Sequence, residues 1–183
     1  RLEQSKLKGL LKLSDRSILI LEYPHYVRAS HVERDLAAVV EEFSVLESSE
    51  LIDEVWQLRA DSVGYLAKPS PDGSSAVAFI EDTMVPVENL ENYIRDFTAL
   101  LDSHGLSYGM FGHADVGCIH VRPALNLESH KHKNMVRRLT TEVNDLVESY
   151  GGILWGEHGR GFRGEFNNLP DELILKMREI KTA

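Results

Sequence analysis

Two short glycine-bearing stretches hold the side chains with the most chemistry to offer. The first is Gly112-His113-Ala114-Asp115-Val116-Gly117-Cys118-Ile119-His120, and the second, further along, is Gly156-Glu157-His158-Gly159. Imidazoles and a carboxylate carried on short, permissive backbone are the raw material of an open metal site with a proton-transfer group beside it. If His113 and His120 stand opposite each other across a hairpin turn, their Cβ atoms are about 5 Å apart. That is close enough to share a metal at about 2.1 Å from each nitrogen. Glu157 is the candidate third ligand, and two nitrogens with one carboxylate leave a coordination position open, as a catalytic site requires. His158 is then available as acid or base, because a neighbouring cation and partial burial govern its charge near pH 7. The spacing alone equally allows these histidines to be hydrogen-bonding loop residues.

The remaining chemical residues have plainer readings. His130 and His132 are two apart at a helix start, where they do not face one another, and read as solvated surface. His25, His31 and His104 sit beside Pro24, Ser30 and Gly105 in turn or cap positions. Cys118, the single cysteine, reads as a buried strand residue, and Trp155 as a core aromatic. Arg59, Arg122 and Arg160 are candidate carboxylate clamps, since a guanidinium binds a carboxylate as a fork. An ordinary surface role is equally open to each.

The elements that must position these groups follow from patterning. Ser17 to Tyr23 has the apolar density of a buried strand and is stopped by Pro24. Ser30-His31-Val32-Glu33 is a capping-box signature ahead of a stripe at Val32, Leu36, Val40 and Phe43. A second helix spans Leu51 to about Gly64, and Lys68 to Ser75 is a loop rich in turn formers. The pattern then repeats: a strand over Ala76 to Ile80, and a helix striped by Leu90, Ile94, Phe97 and Leu101 with Gly105 as its stop. Strands over Ser107 to Gly112 and Cys118 to Arg122 come next, the second ended by Pro123. A long helix over Ser129 to Tyr150 stops at Gly151-Gly152, and Ile153 to Trp155 is a brief extended segment. Pro170-Asp171-Glu172 opens a last helix carrying Leu173, Ile174, Met177 and Ile180. The order predicts an α+β fold, an antiparallel sheet with helices packed on one face.

Composition excludes several classes. The 183 residues suffice for one substantial core or two small ones. A hydrophobic fraction of 43% and a charged fraction of 27% are those of a globular domain. No apolar run approaches the roughly 20 residues of a membrane span. The net charge of -9 argues against a nucleic-acid partner. One cysteine leaves no internal disulfide and no all-cysteine cluster within the chain, which fits a reducing cytoplasm. Arg1 leads directly into Leu2-Glu3-Gln4, without initiator methionine or signal peptide, and a piece of a longer polypeptide is expected.

Taken together in order, Glu81-Asp82-Thr83-Met84-Val85-Pro86, Gly112-His113-x6-His120 and Gly156-Glu157-His158-Gly159-Arg160-Gly161 resemble the C-terminal domain of FAD-linked oxidases of the vanillyl-alcohol oxidase type. Within it the closest likeness is to the D-2-hydroxyacid dehydrogenase branch, including D-lactate, glycolate and D-2-hydroxyglutarate dehydrogenases. The resemblance covers about residues 17 to 165. It implies a ferredoxin-like sheet that caps a flavin and supplies the substrate pocket, with FAD held mainly by a domain outside this chain. Residues 1 to 16 would be the lead-in from that domain and 17 to 183 the C-terminal domain.

By the same likeness, His113, His120 and Glu157 are the ligands of a divalent metal, with zinc among the candidates, and His158 is the base. Arg59 and Arg122 bind the carboxylate of a small 2-hydroxyacid. The large bacterial members add an iron–sulfur part, and the electron acceptor is left open, as is peripheral association with the inner membrane. The chain departs from the family's Gly-His-x-Gly-Asp-Gly-Asn-x-His pattern, with Asp115, Val116 and Cys118 where Gly, Asp and Asn are expected. That removes groups that would orient the histidines from behind. A metal-free FAD-linked oxidase of another alcohol and a non-catalytic cap domain are the alternative readings.

Overall fold

The computed structural model describes residues 18–66, 70–159 and 170–182. Arg160 and the lead-in at residues 1 to 16 lie outside them. The chain divides into two compact units, Arg1–Tyr65 and Leu66–Ala183.

In the first unit, the apolar run predicted as a buried strand forms no strand over its described residues, and Ile18, Leu19, Ile20, Leu21 and Tyr23 are exposed. A strand needs neighbours for its N–H and C=O groups, and among the described residues none lies alongside. Helix α1 covers Ala29–Ala37 and buries Val32. Its N-cap is Arg28, without a side-chain cap, so Ser30 sits inside the first turn and the capping box does not form. Val40 and Phe43 fall beyond its end and are exposed. Helix α2, Ser49–Leu66, is anchored by Leu51 and Ile52 amides on the Ser48 carbonyl and runs through Gly64.

The second unit is built on one long strand. β4, Cys118–Leu125, pairs antiparallel with β3, Tyr108–His113, along one edge. Along the other edge it pairs with β1, Ser75–Ala76, at one end and β2, Thr83–Met84, at the other. Ile153 bridges Met84 on the far side of β2. Helix α3, Leu90–Ser103, precedes β3, and α4, His130–Ser149, follows β4. Strand, helix, strand, strand, helix, strand, with Ile153, β2, β4 and β3 side by side, is the ferredoxin-like α+β arrangement. Pro123 does not end β4. It pairs with Tyr108, and its carbonyl accepts from the Val77 amide, so the ladder continues through a residue that lacks only a donor.

Alternation along β4 separates packing from chemistry. Ile119 and Val121 enter the core with Tyr93, Phe97 and Leu101 of α3 and Leu139, Val143 and Val147 of α4. The intervening Cys118, His120 and Arg122 point to the opposite face. Within the core the Tyr93 hydroxyl donates to Thr83 Oγ1 at 2.7 Å. Helix α5, Asp171–Thr182, opens on the Pro170 carbonyl as predicted, but Leu173, Met177 and Ile180 are exposed. No described helix is long and apolar enough to cross a membrane.

Candidate functional site

The hairpin that carries the two histidines is closed by a 3₁₀ turn over Ala114–Val116. Gly117 follows in the left-handed region at φ 70°. Its carbonyl accepts the Val85 amide at 3.1 Å, and a Cβ there would collide with the Val85 carbonyl. This pairing corrects the expected register. His113 stands opposite Cys118, and His120 opposite Phe111. The two histidines therefore share a face but are diagonal neighbours, with ring centroids 5.8 Å apart and planes at 88°.

Glu157 draws the imidazoles together. Its Oε1 lies 3.0 Å from His120 Nε2, 3.4 Å from His158 Nε2 and 3.6 Å from His113 Nε2. Ligand atoms around a tetrahedral metal at about 2.1 Å are separated by about 3.4 Å, so these spacings suit donors that share an ion. His120 is buried, whereas His113, Glu157 and His158 have side chains 41%, 39% and 48% exposed. A small solute can reach three of the four groups while the fourth anchors them from below. Burial holds His120 below the usual imidazole range, against the pull of Glu157, and the neutral ring is the form that ligates metal.

A grouping of donor atoms within 4.8 Å of one another comprises Asp82, His120, Glu157 and His158. His113, at 3.6 Å from Glu157, lies outside it. Asp82 is the least suited of these to ligation, because its Oδ1 accepts the Glu157 amide at 3.0 Å and its Oδ2 the His158 amide at 2.9 Å.

His120 keeps its orientation by packing. Its ring is stacked on His158, with centroids 5.0 Å apart and planes at 19°, and tilted against Phe111 at 5.1 Å. Its Nδ1 is buried without a hydrogen-bond partner among the described residues. Cys118 is fully buried beside it, as expected, and burial together with the charges of Asp82 and Glu157 pushes its thiol up to about 12.

The arginines separate. Arg122 is on the histidine face of β4, but its Nε donates to Glu81 at 3.0 Å and its guanidinium lies 5.6 Å from the Phe111 centroid. Its orientation is set from inside the protein. Arg59 is half-buried on α2 in the first unit. His132 is not merely solvated, since its Nδ1 accepts the Asn126 amide at 2.8 Å. His104 caps α3 and lies 2.6 Å from Glu142 of α4. Asp82 is the residue that patterning did not single out. The available signal was the acidic pair Glu81-Asp82 that opens the Glu81 to Pro86 motif.

Residues 7–183 match the family described as FAD linked oxidases, C-terminal domain. Over 134 residues, 72% of the chain, the sequence is 43% identical to D-2-hydroxyglutarate dehydrogenase of Escherichia coli. Over 162 residues, 84% of the chain, it is 42% identical to the protein of the same name from Pseudomonas putida. A D-lactate dehydrogenase of Archaeoglobus fulgidus is 30% identical over 102 residues, 55% of the chain and 22% of that protein. The matched stretches are 13% and 15% of the two D-2-hydroxyglutarate dehydrogenases, so the chain spans a small part of those relatives.

Proposed function

Because the chain belongs to the family of FAD-linked oxidase C-terminal domains, we propose that it is the substrate- and metal-binding domain of a flavin-dependent dehydrogenase that oxidises a D-2-hydroxyacid to a 2-oxoacid. The observation that carries this reading is the convergence of His113, His120 and His158 on one oxygen of Glu157 at the end of a β hairpin. Two imidazoles and a carboxylate form an open donor set, so His113, His120 and Glu157 are assigned as holding a divalent metal, with zinc, manganese and iron all compatible. When bound, such a metal supplies Lewis acidity that lowers the pKa of a substrate hydroxyl.

The protein's own residues do the rest. His158, half-exposed at the rim, takes the hydroxyl proton on a ring nitrogen as the α-hydrogen leaves as hydride. Arg122, held by Glu81, presents a cation to the substrate carboxylate from the same face. Arg59, on α2 of the first unit, keeps the role of a substrate-carboxylate residue from the family likeness alone. FAD supplies the hydride acceptor, and its binding is assigned to a preceding domain of the same polypeptide. Residues 1 to 16 are then the lead-in and 17 to 183 the domain that caps the flavin. A further iron–sulfur part and a cytoplasmic setting belong to the same reading.

The relatives' names make D-2-hydroxyglutarate the first substrate to try. The test is a panel of 2-hydroxyacids offered to the full-length protein, with metal content measured on the same batch. Turnover of a D-2-hydroxyacid that is lost on chelation and restored by metal is expected. Turnover indifferent to chelation would favour a metal-free oxidase, and activity that survives loss of both His113 and Glu157 a non-catalytic cap.

A further inference from the structure

We propose that Asp82 is the positioning residue of the site, fixing the directions of Glu157 and His158 by holding three successive backbone amides. Its main-chain carbonyl accepts the Gly156 N–H at 2.8 Å, Oδ1 the Glu157 N–H at 3.0 Å and Oδ2 the His158 N–H at 2.9 Å. One residue thus receives three consecutive amides of the turn that carries the proposed ligand and base. A carboxylate accepting charge-assisted bonds from backbone N–H groups makes them stronger than bonds between neutral partners. Asp82 is also fully buried, so its accepting oxygens are shielded from water.

The backbone supports the same assignment. Among the described residues Asp82 is the non-glycine residue with positive φ, 69°. A conformation of that kind is unfavourable for a non-glycine residue and persists only where the surroundings over-determine it. Its effect here is to break strand alternation. Glu81 reaches Arg122, and Asp82 Oδ1 lies 3.6 Å from Cys118 Sγ. Both partners belong to the histidine face of β4, so two consecutive acidic side chains serve one face. The turn they meet is packed tightly as well: a Cβ at Gly156 would stand 3.1 Å from both Cys118 Sγ and Met84 Cβ. Held on that floor by Asp82, Glu157 has one carboxylate oxygen within 3.6 Å of all three imidazoles, and His158 has its ring stacked on His120.

This inference rests on the proposed metal site for its consequence but not for its geometry, and the experiment separates the two. In the metal-free 183-residue chain, D82N keeps one acceptor oxygen and turns an NH2 group against the other amide. D82G removes the carboxylate while relaxing the backbone, so it remains informative if the asparagine variant fails to fold. Amide exchange at Glu157 and His158 should accelerate at least about tenfold in either variant, with Val121 unchanged, and the ring-proton shifts of His120 and His158 should lose the signature of stacking. The affinity for Co2+, read from its visible absorption, should fall by about 10–100-fold. Unchanged exchange or unchanged ring shifts would overturn the proposal, as would unaltered Co2+ affinity and spectrum in a variant whose turn has loosened. Failure of the wild-type chain to bind Co2+ would sink the metal reading instead, leaving Asp82 to be judged on exchange and ring shifts.

Discussion

Glu157 Oε1 lies 3.0 Å from His120 Nε2, a half-exposed carboxylate meeting a buried imidazole across the floor of the site. Replacing Glu157 by Gln keeps the shape and removes the charge that opposes a bound cation. The E157Q chain should bind Co2+ or Zn2+ at least tenfold more weakly than wild type, a loss no smaller than that for groups lying behind the ligands. Calorimetric titration checks this, and equal affinities would remove Glu157 from the ligand set.

His158 can be assigned by a split between two measurements. In the full-length enzyme, H158A should lower kcat by about 100-fold or more if His158 moves the hydroxyl proton, with metal content unchanged. A parallel loss of metal would make His158 a ligand, as its 3.4 Å separation from Glu157 also permits. Normal turnover with full metal would leave it no part in the chemistry.

Much of this site is legible in the sequence because its parts are local. The histidine spacing and the Glu-His pair bring His120 and His158 within 3.4 Å of Glu157 and leave His113 at 3.6 Å, and α3 and α4 are legible as apolar stripes ending near Gly105 and Gly151. Register was not readable: the pairing of His113 with Cys118 depends on the 3₁₀ turn and on Gly117 docking against Val85, a contact between distant segments. Asp82 escaped for the same reason, since its partners lie 75 and 76 residues away. The run Ile18 to Tyr23 misled because apolar density measures a strand's need for partners and says nothing of where they are.

Acid should weaken the α3–α4 contact. Burial works to raise the Glu142 carboxyl, but hydrogen bonds from Arg138 and His104 outweigh it and hold the group below its ordinary value of 4.5. A carboxyl lowered on folding adds stability above its unfolded pKa and loses it as pH falls through the folded one. The midpoint of thermal unfolding should therefore drop below about pH 4.5 more steeply in wild type than in E142Q. Parallel curves would show that the group contributes nothing to acid sensitivity.

Cys118 should be inert in the native chain although it lies next to the reactive groups. The thiolate is the nucleophile, and a thiol pushed up to about 12 by burial first, then by Asp82 and Glu157, is almost wholly protonated at pH 8. The side chain is also fully buried. Iodoacetamide at pH 8 should label the folded, metal-free chain at least about 100-fold more slowly than the same chain in denaturant. Rapid labelling without denaturant, followed by mass spectrometry, would mean that the turn from Gly156 to His158 does not cover β4.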